Sequence, residues 1–157
     1  MRYDENGGRL PTIYNDCISG FFGPYRFLSN FQVCVIEMDG LVFSSSEAAY
    51  MSRKTDKLEI KKEFTLLSPS QARKRGQEIE LSDPEAWEFD RVIAMYDACW
   101  AKFFQNEELG MALVNTGTKR LDETNDWGDK FWGVNQFGDG RSMLGKVLMS
   151  IREKITL

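Results

Sequence analysis

Gly40-Leu-Val-Phe-Ser-Ser-Ser-Glu47-Ala-Ala-Tyr-Met-Ser-Arg-Lys54 reads as a short apolar strand that runs directly into a helix. Ser44 stands three residues before Glu47, the spacing of a capping box, in which a hydroxyl and a carboxylate each accept from a free N–H. A helix is therefore predicted to open here. Counting from Glu47, the steps i+3, i+4 and i+7 bring Tyr50, Met51 and Lys54 to its face, so an acid, a ring and a cation share one row. Two readings stay open at this point: Glu47 is a cap and Lys54 points to water, or the row is a site.

Upstream, Val33–Met38 and Leu41–Phe43 are β-rich runs joined by Asp39-Gly40, the dipeptide suited to a two-residue type I′ turn, so a hairpin hands the chain to the helix. Before it, Phe21–Phe31 is dense in aromatics, broken by Gly23-Pro24 and closed by Ser29-Asn30. The rings read as core. Ser29 and Asn30, small polar groups wedged between Leu28 and Phe31, need hydrogen-bond partners, which the protein or a ligand must supply. Residues 1–20 show no clear period and read as an irregular or partly extended lead-in, with Ile13-Tyr14 beginning a strand.

Downstream, Asp56–Phe64 carries a second helical pattern. Ser68-Pro-Ser-Gln71 has a cap, a proline at the first helical position and Gln at the third, and opens a basic helix that runs to Gly76. With Arg53 and Lys54 its cations read as a positive rim or as a solvated face. Asp83-Pro84 opens a long aromatic helix to about Phe104, predicted to be the central helix of the core. Asn106 caps a further helix through Val114, closed by Gly117. Leu121–Gly133 holds four carboxylates, three aromatic residues and two glycines with little period, and reads as a site loop. Leu144, Val147, Leu148, Ile151 and Ile155 make an apolar stripe on a last helix that opens near Ser142.

The 157 residues suit one domain, large enough to bury roughly two thirds of the unfolded surface. No apolar run approaches the roughly 18 residues of a membrane span, and the N-terminus lacks the apolar core of a signal peptide, so a cytoplasmic protein with no membrane contact is expected. Cys17, Cys34 and Cys99 are widely spaced, which indicates neither a disulfide framework nor a zinc cage. The chain has no histidine, which removes Ser-His and Cys-His nucleophile pairs; any chemistry falls to carboxylates, Lys, Tyr or Ser. A net charge of −4 argues against a broad non-specific DNA-binding surface, while leaving room for a local grip on one phosphate.

Phe27-Leu-Ser-Asn-Phe31, Gly40 followed by Phe43-x-Ser-Ser-Glu47-Ala-Ala-Tyr50 and Lys54, Trp87, Lys102-Phe103, Leu113 with Thr116-Gly117, Glu123, Asp129-x-x-Trp132-Gly133 and Leu144-Gly145-x-x-Leu148-Met149-x-x-Arg152 together resemble the NADAR (YbiA-like) family. The resemblance runs from Phe22 to Ile155. It implies a single α+β domain, mainly helical with a small hairpin or sheet, and N-glycosidase activity toward ribosylamino-pyrimidine phosphates of the early riboflavin pathway or toward ADP-ribose on guanine in nucleic acid. The family usually has His and Gln where this chain has Ala48 and Met51, Arg at Gln77 and Asn at Ser142.

Cleaving a glycosylic C–N bond builds positive charge on the sugar and negative charge on the departing base. Glu47 is the expected carboxylate for the sugar cation and its attacking water, and Asp129 the second acid, either activating water or holding sugar hydroxyls. Lys54 meets a phosphate or pairs with the acid, and Trp87 and Trp132 offer flat faces for a base unless they are core. Ser29, Asn30, Tyr50 and Gly133 complete the expected substrate-binding set. No metal, cofactor or required protein partner is called for; the expected partner is a nucleotide-like small molecule or ADP-ribosylated nucleic acid. Two rivals remain: a non-catalytic ADP-ribose or nucleotide-binding module, and an interaction protein whose acidic Asp122–Asp129 loop meets a basic partner.

Overall fold

The computed structural model describes residues 1–156. In chain order its strands and helices are β1 (Arg2–Tyr3), β2 (Arg9–Leu10), β3 (Thr12–Ile13), β4 (Cys17–Ser19), β5 (Ile36–Met38), β6 (Leu41–Phe43), α1 (Ser46–Ser52), α2 (Leu58–Glu63), α3 (Pro69–Gln77), α4 (Pro84–Gln105), α5 (Glu107–Asn115), β7 (Arg120–Asp122) and α6 (Met143–Thr156). Short stretches of 3-10 helix cover Gly23–Leu28 and Phe64–Leu66. The fold is α+β and mainly helical. It divides into two compact units, one made of Met1–Ser29 with the chain from Met111 onward, the other of Asn30–Gly110.

The Asn30–Gly110 unit opens with the β5–β6 hairpin, paired antiparallel with Ile36 opposite Phe43. Asp39 and Gly40 both take positive φ, 56° and 74°, as a type I′ turn requires. The strand begins at Ile36, not at Val33; Val33 and Val35 are exposed. Helix α1 packs against α3 and α4, and α4 also packs against β5. Between them lie Ile36, Phe43, Ala48, Ala49, Phe64, Ala72, Ala98 and Cys99, all buried. Complete burial of a ring such as Phe64 contributes about 2–3 kcal/mol.

Helix α3 starts as its sequence dictates: Ser68 accepts from the Gln71 N–H, Gln71 reaches back to the Ser68 N–H, and Pro69 takes a position whose N–H has no helical partner. Asp83 caps α4 through the Ala86 N–H at 3.0 Å. Helix α4 packs in the core as predicted, but most of its aromatic residues do not face inward. Its buried face is Ala94, Met95, Ala98, Cys99, Ala101, Lys102 and Phe103, whereas Phe104 is exposed and Tyr96 and Trp100 are half-buried.

In the other unit the lead-in is partly extended, the second of its two expected forms, with the strand near Ile13 placed at Thr12–Ile13. β1 and β2 pair antiparallel, and β4 sits between antiparallel β3 and parallel β7. Cys17, Ile18 and Ser19 stand opposite Arg120, Leu121 and Asp122. The stretch read as a loop from Leu121 therefore begins inside a sheet. Helix α6 covers β7 with Leu144, Val147, Leu148 and Ile151, the stripe its spacing predicted. Among the described residues no helix is long and apolar enough to cross a membrane.

Candidate active site

Three consecutive serines precede Glu47, and the helix uses Ser45 as its cap, accepting from the Ala48 N–H at 3.1 Å. Ser44, the expected cap, instead donates to the Leu67 carbonyl at 3.1 Å. The shift of one residue matters for function. Ala48 now occupies the third helical position and has no side chain to reach back, so no capping box forms and Glu47, at the second position, is not committed to one.

Glu47 is 7% exposed. Its N–H donates to the Asn30 carbonyl at 3.3 Å. The Asn30 side chain ties the same turn to α4: Oδ1 accepts from Ser46 Oγ at 2.9 Å and from Cys99 Sγ at 3.5 Å, and Nδ2 points to Met95 Sδ at 3.0 Å. Asn30 thus holds the base of α1, its polar atoms already engaged by protein groups. Tyr50, one turn on from Glu47 and buried, lies 5.8 Å from the half-buried Trp87, the rings tilted by 33°.

The helix ends at Ser52 with Arg53 as its C-cap, so Lys54 lies beyond it and not two turns along the Glu47 face. Its ammonium is fixed from another direction, by a 2.7 Å bond to the Gly76 carbonyl of α3. Burial pushes the Lys54 ammonium below the ordinary lysine range, and the Glu47 charge pushes it back up. The acid and the cation therefore sense each other despite the different route. The positive rim is neutralised in part: Arg53 pairs with Asp39 and Asp97, and Arg75 with Glu63, while Arg73 and Lys74 are exposed.

Asp129, Trp132 and Gly133 belong to the other unit, as does Ser29, which is buried just past the Gly23–Leu28 turn with its N–H on the Arg26 carbonyl. Asp129 Oδ1 accepts from the N–H groups of Phe131 and Trp132 at 3.1 and 2.9 Å, a side-chain-closed turn. Asn125 grips the same loop: Oδ1 accepts from the Asp129 N–H at 3.1 Å, and Nδ2 donates to the Asp129 carbonyl at 2.8 Å. Trp132 meets Phe131 edge to face at 4.8 Å. At Gly133 a side chain would collide with the Glu123 carbonyl and lie 2.5 Å from Asn125 Nδ2, so the glycine lets the loop close on itself. Asp122, read as part of an exposed acidic loop, is buried; it bonds to Ser142 Oγ at 2.9 Å and pairs with Arg120.

Two residues outside the expected site set stand out in the structure. Lys102 is completely buried, its ammonium 4.8 Å from the Phe103 ring centre and near enough to lower the Cys34 thiol that burial raises. A lysine is almost never fully buried without a partner; the sequence signal was a single cation among Ala98, Cys99, Ala101 and Phe103. Asn125 gave no signal, because an asparagine in an acidic loop is ordinary. Among the described residues no three His, Cys, Asp or Glu side chains gather into a metal-holding group.

The NADAR domain model matches residues 17–156. The chain is 29% identical over 153 residues to the N-glycosidase YbiA of Escherichia coli, covering 95% of each. It is 34% identical over 132 residues to a riboflavin biosynthesis protein of Vibrio vulnificus, covering 83% of this chain but only 36% of that longer protein. The NMR structure of Escherichia coli YbiA matches with a TM-score of 0.80 at 28% identity, covering 92% of this chain and 88% of that one.

Proposed function

The chain belongs to the NADAR domain family, and from that premise we propose that it is an N-glycosidase that hydrolyses the base–ribose C–N bond of a phosphorylated, nucleotide-like substrate. A glycosidase-type role is supported by the family and by relatives named N-glycosidase and riboflavin biosynthesis protein. The observation that carries the reading is Glu47: an almost buried carboxylate in the first turn of α1, its backbone tied by Asn30, and within reach of the charge of Lys54.

As the C1′–N bond lengthens, its electron pair leaves with the base and C1′ becomes cationic. The Glu47 carboxylate steadies that charge and orients a water, whose oxygen forms the new bond to C1′; one of its two protons passes to the carboxylate and from there to the departing base, and the other stays on the new C1′ hydroxyl. Lys54, held by Gly76, binds a phosphate of the substrate, and the Tyr50–Trp87 pair presents a ring face to the base. Asn30 is a positioning residue, holding the turn that carries Glu47. The proposed reaction is metal-independent.

The substrate chemistry has two sources, a ribosylamino-pyrimidine phosphate or ADP-ribose linked to guanine in an oligonucleotide. Incubating the purified protein with each separately, with and without a chelator, tests the proposal: free base and free sugar phosphate or ADP-ribose are expected from one of them, undiminished by the chelator. Glu47→Gln is expected to melt as the parent does and to lose turnover by about a hundredfold or more. Saturable binding with the ligand recovered intact would identify a nucleotide-binding module instead.

A further inference from the structure

Helix α4 turns one face inward and shows a second, unusual face outward. Phe89, Ile93, Tyr96, Trp100 and Phe104 recur at helical spacing and fall on one stripe, opposite the buried Ala94, Ala98 and Lys102. Phe89 is 75% exposed, Ile93 59% and Phe104 67%. Trp100 continues the row by stacking on Tyr96 at 6.4 Å and on Phe104 at 5.3 Å, with interplanar angles of 9° and 14°. Scattered exposed apolar residues need no explanation, but a contiguous aromatic row four turns long marks an interaction site.

The spacing of the row indicates what covers it. From Phe89 to Ile93 is one step of four, and from Trp100 to Phe104 is another, with Tyr96 and Asp97 as the central pair. The pattern reads alike in both directions. Two such helices laid antiparallel about a twofold between positions 96 and 97 set Phe89 against Phe104 and Ile93 against Trp100, twice over, as an isologous contact demands. Asp97 then meets Tyr96 of the second copy at the axis. Each Asp97 already pairs with Arg53 at 3.1 Å, so the axis does not bring two bare carboxylates together. The exposed rings and Ile93 offer about 500 Å² per copy, hence about 1,000 Å² for a pair, which meets the threshold of a specific interface and suits a reversible dimer.

We propose that the outward stripe of α4 is a self-association surface, on which a second copy of the chain docks its own α4 antiparallel. The inference stands apart from the glycosidase reading and survives if that reading fails.

Sedimentation across micromolar to millimolar protein is expected to show a reversible monomer–dimer equilibrium. Ile93→Lys is expected to weaken it by about tenfold or more while leaving the melting temperature of the monomer unchanged. Orientation is tested with the paired substitution Phe89→Cys and Phe104→Cys under mild oxidation. The two positions lie ~22 Å apart on one helix, too far to bridge within a chain, yet opposite each other across the proposed axis. The double variant is expected to form a covalent dimer on a non-reducing gel; Phe104→Cys alone is expected not to, since its counterpart is also ~22 Å away. A monomer at every concentration, an Ile93→Lys protein that dimerises normally, or a single variant that cross-links as well as the double overturns the proposal.

Discussion

Lys54 Nζ donates to the main-chain carbonyl of Gly76 at 2.7 Å, and through that bond helix α3 holds the cation that answers Glu47. The bond depends on close approach of α1 and α3. A Cβ on Gly76 would overlap Met51 Sδ and lie 2.9 Å from Met51 Cγ.

Gly76→Ala is therefore expected to destabilise the protein even though alanine is the better helix former. The helix gain is about 1 kcal/mol, whereas overpacking costs about 1–3 kcal/mol, and backbone shift of α3 also draws the carbonyl from Lys54. A net loss of about 1 kcal/mol is expected in urea unfolding. The opposing Met51→Ala change supplies the room, so the double variant should regain part of that loss. Additive effects in the double-mutant cycle would show that the two side chains do not compete for the space.

Glu47→Gln should lower the Lys54 ammonium further. Burial depresses it and only the Glu47 charge opposes that, so neutralising the acid leaves burial unanswered. The sign for stability follows. Folded Lys54 releases its proton below the ordinary 10.5, so within that window the unfolded chain binds more protons and stability rises with pH. The variant extends the window to lower pH. Titration of the Lys54 side chain by NMR measures the shift directly, and an unchanged or raised value would separate the two charges.

Local information was legible and distant information was not. Asp39-Gly40, Ser68 with Gln71 and Asp83-Pro84 each decide a turn or a helix start within four residues, and all three formed as read. Strands β4 and β7 are three residues each and meet across 105 residues of sequence, as the Cys17–Asp122 contact shows, so neither has a period to read. Ser44, Ser45 and Ser46 offered equivalent hydroxyls; Ser44 bonds to the Leu67 carbonyl and Ser46 to Asn30, and Ser45 is the cap. The same degeneracy hid the position of Glu47 in its turn. In α4 the rings were read as core because aromatics usually are, yet the small residues Ala94 and Ala98 take that role and let α1 approach closely.

Cys17 carries a second pH dependence, of opposite sign. Burial first, and then the adjacent Asp122, push its thiol up from 9.0 to about 11. Between these values the unfolded thiol has ionised while the folded one has not, so stability falls as pH rises. Cys17→Ala is expected to flatten the alkaline limb of the stability profile relative to the parent, removing about 2 kcal/mol of the drop. In the folded parent at neutral pH the thiol is expected to resist alkylation, as a buried, protonated cysteine should. Rapid labelling of Cys17 without unfolding would contradict the burial.

Asp129 joins two possible roles that substitution can separate, a charge and a hydrogen-bond acceptor. Its Oδ1 closes the turn onto the Phe131 and Trp132 N–H groups, and an amide oxygen can do the same. Asp129→Asn should therefore fold with near-parental stability, while Asp129→Ala strands two backbone donors and costs about 1–2 kcal/mol. If the residue acts only through the turn, the asparagine variant keeps the full turnover of the parent on whichever substrate the parent cleaves. If its charge takes part in chemistry, that variant loses turnover at unchanged stability, by about a hundredfold for a lost base. Steady-state kinetics beside a melting curve on the same two variants distinguishes these outcomes, because a change in loop structure moves both measurements and a change in charge moves only one.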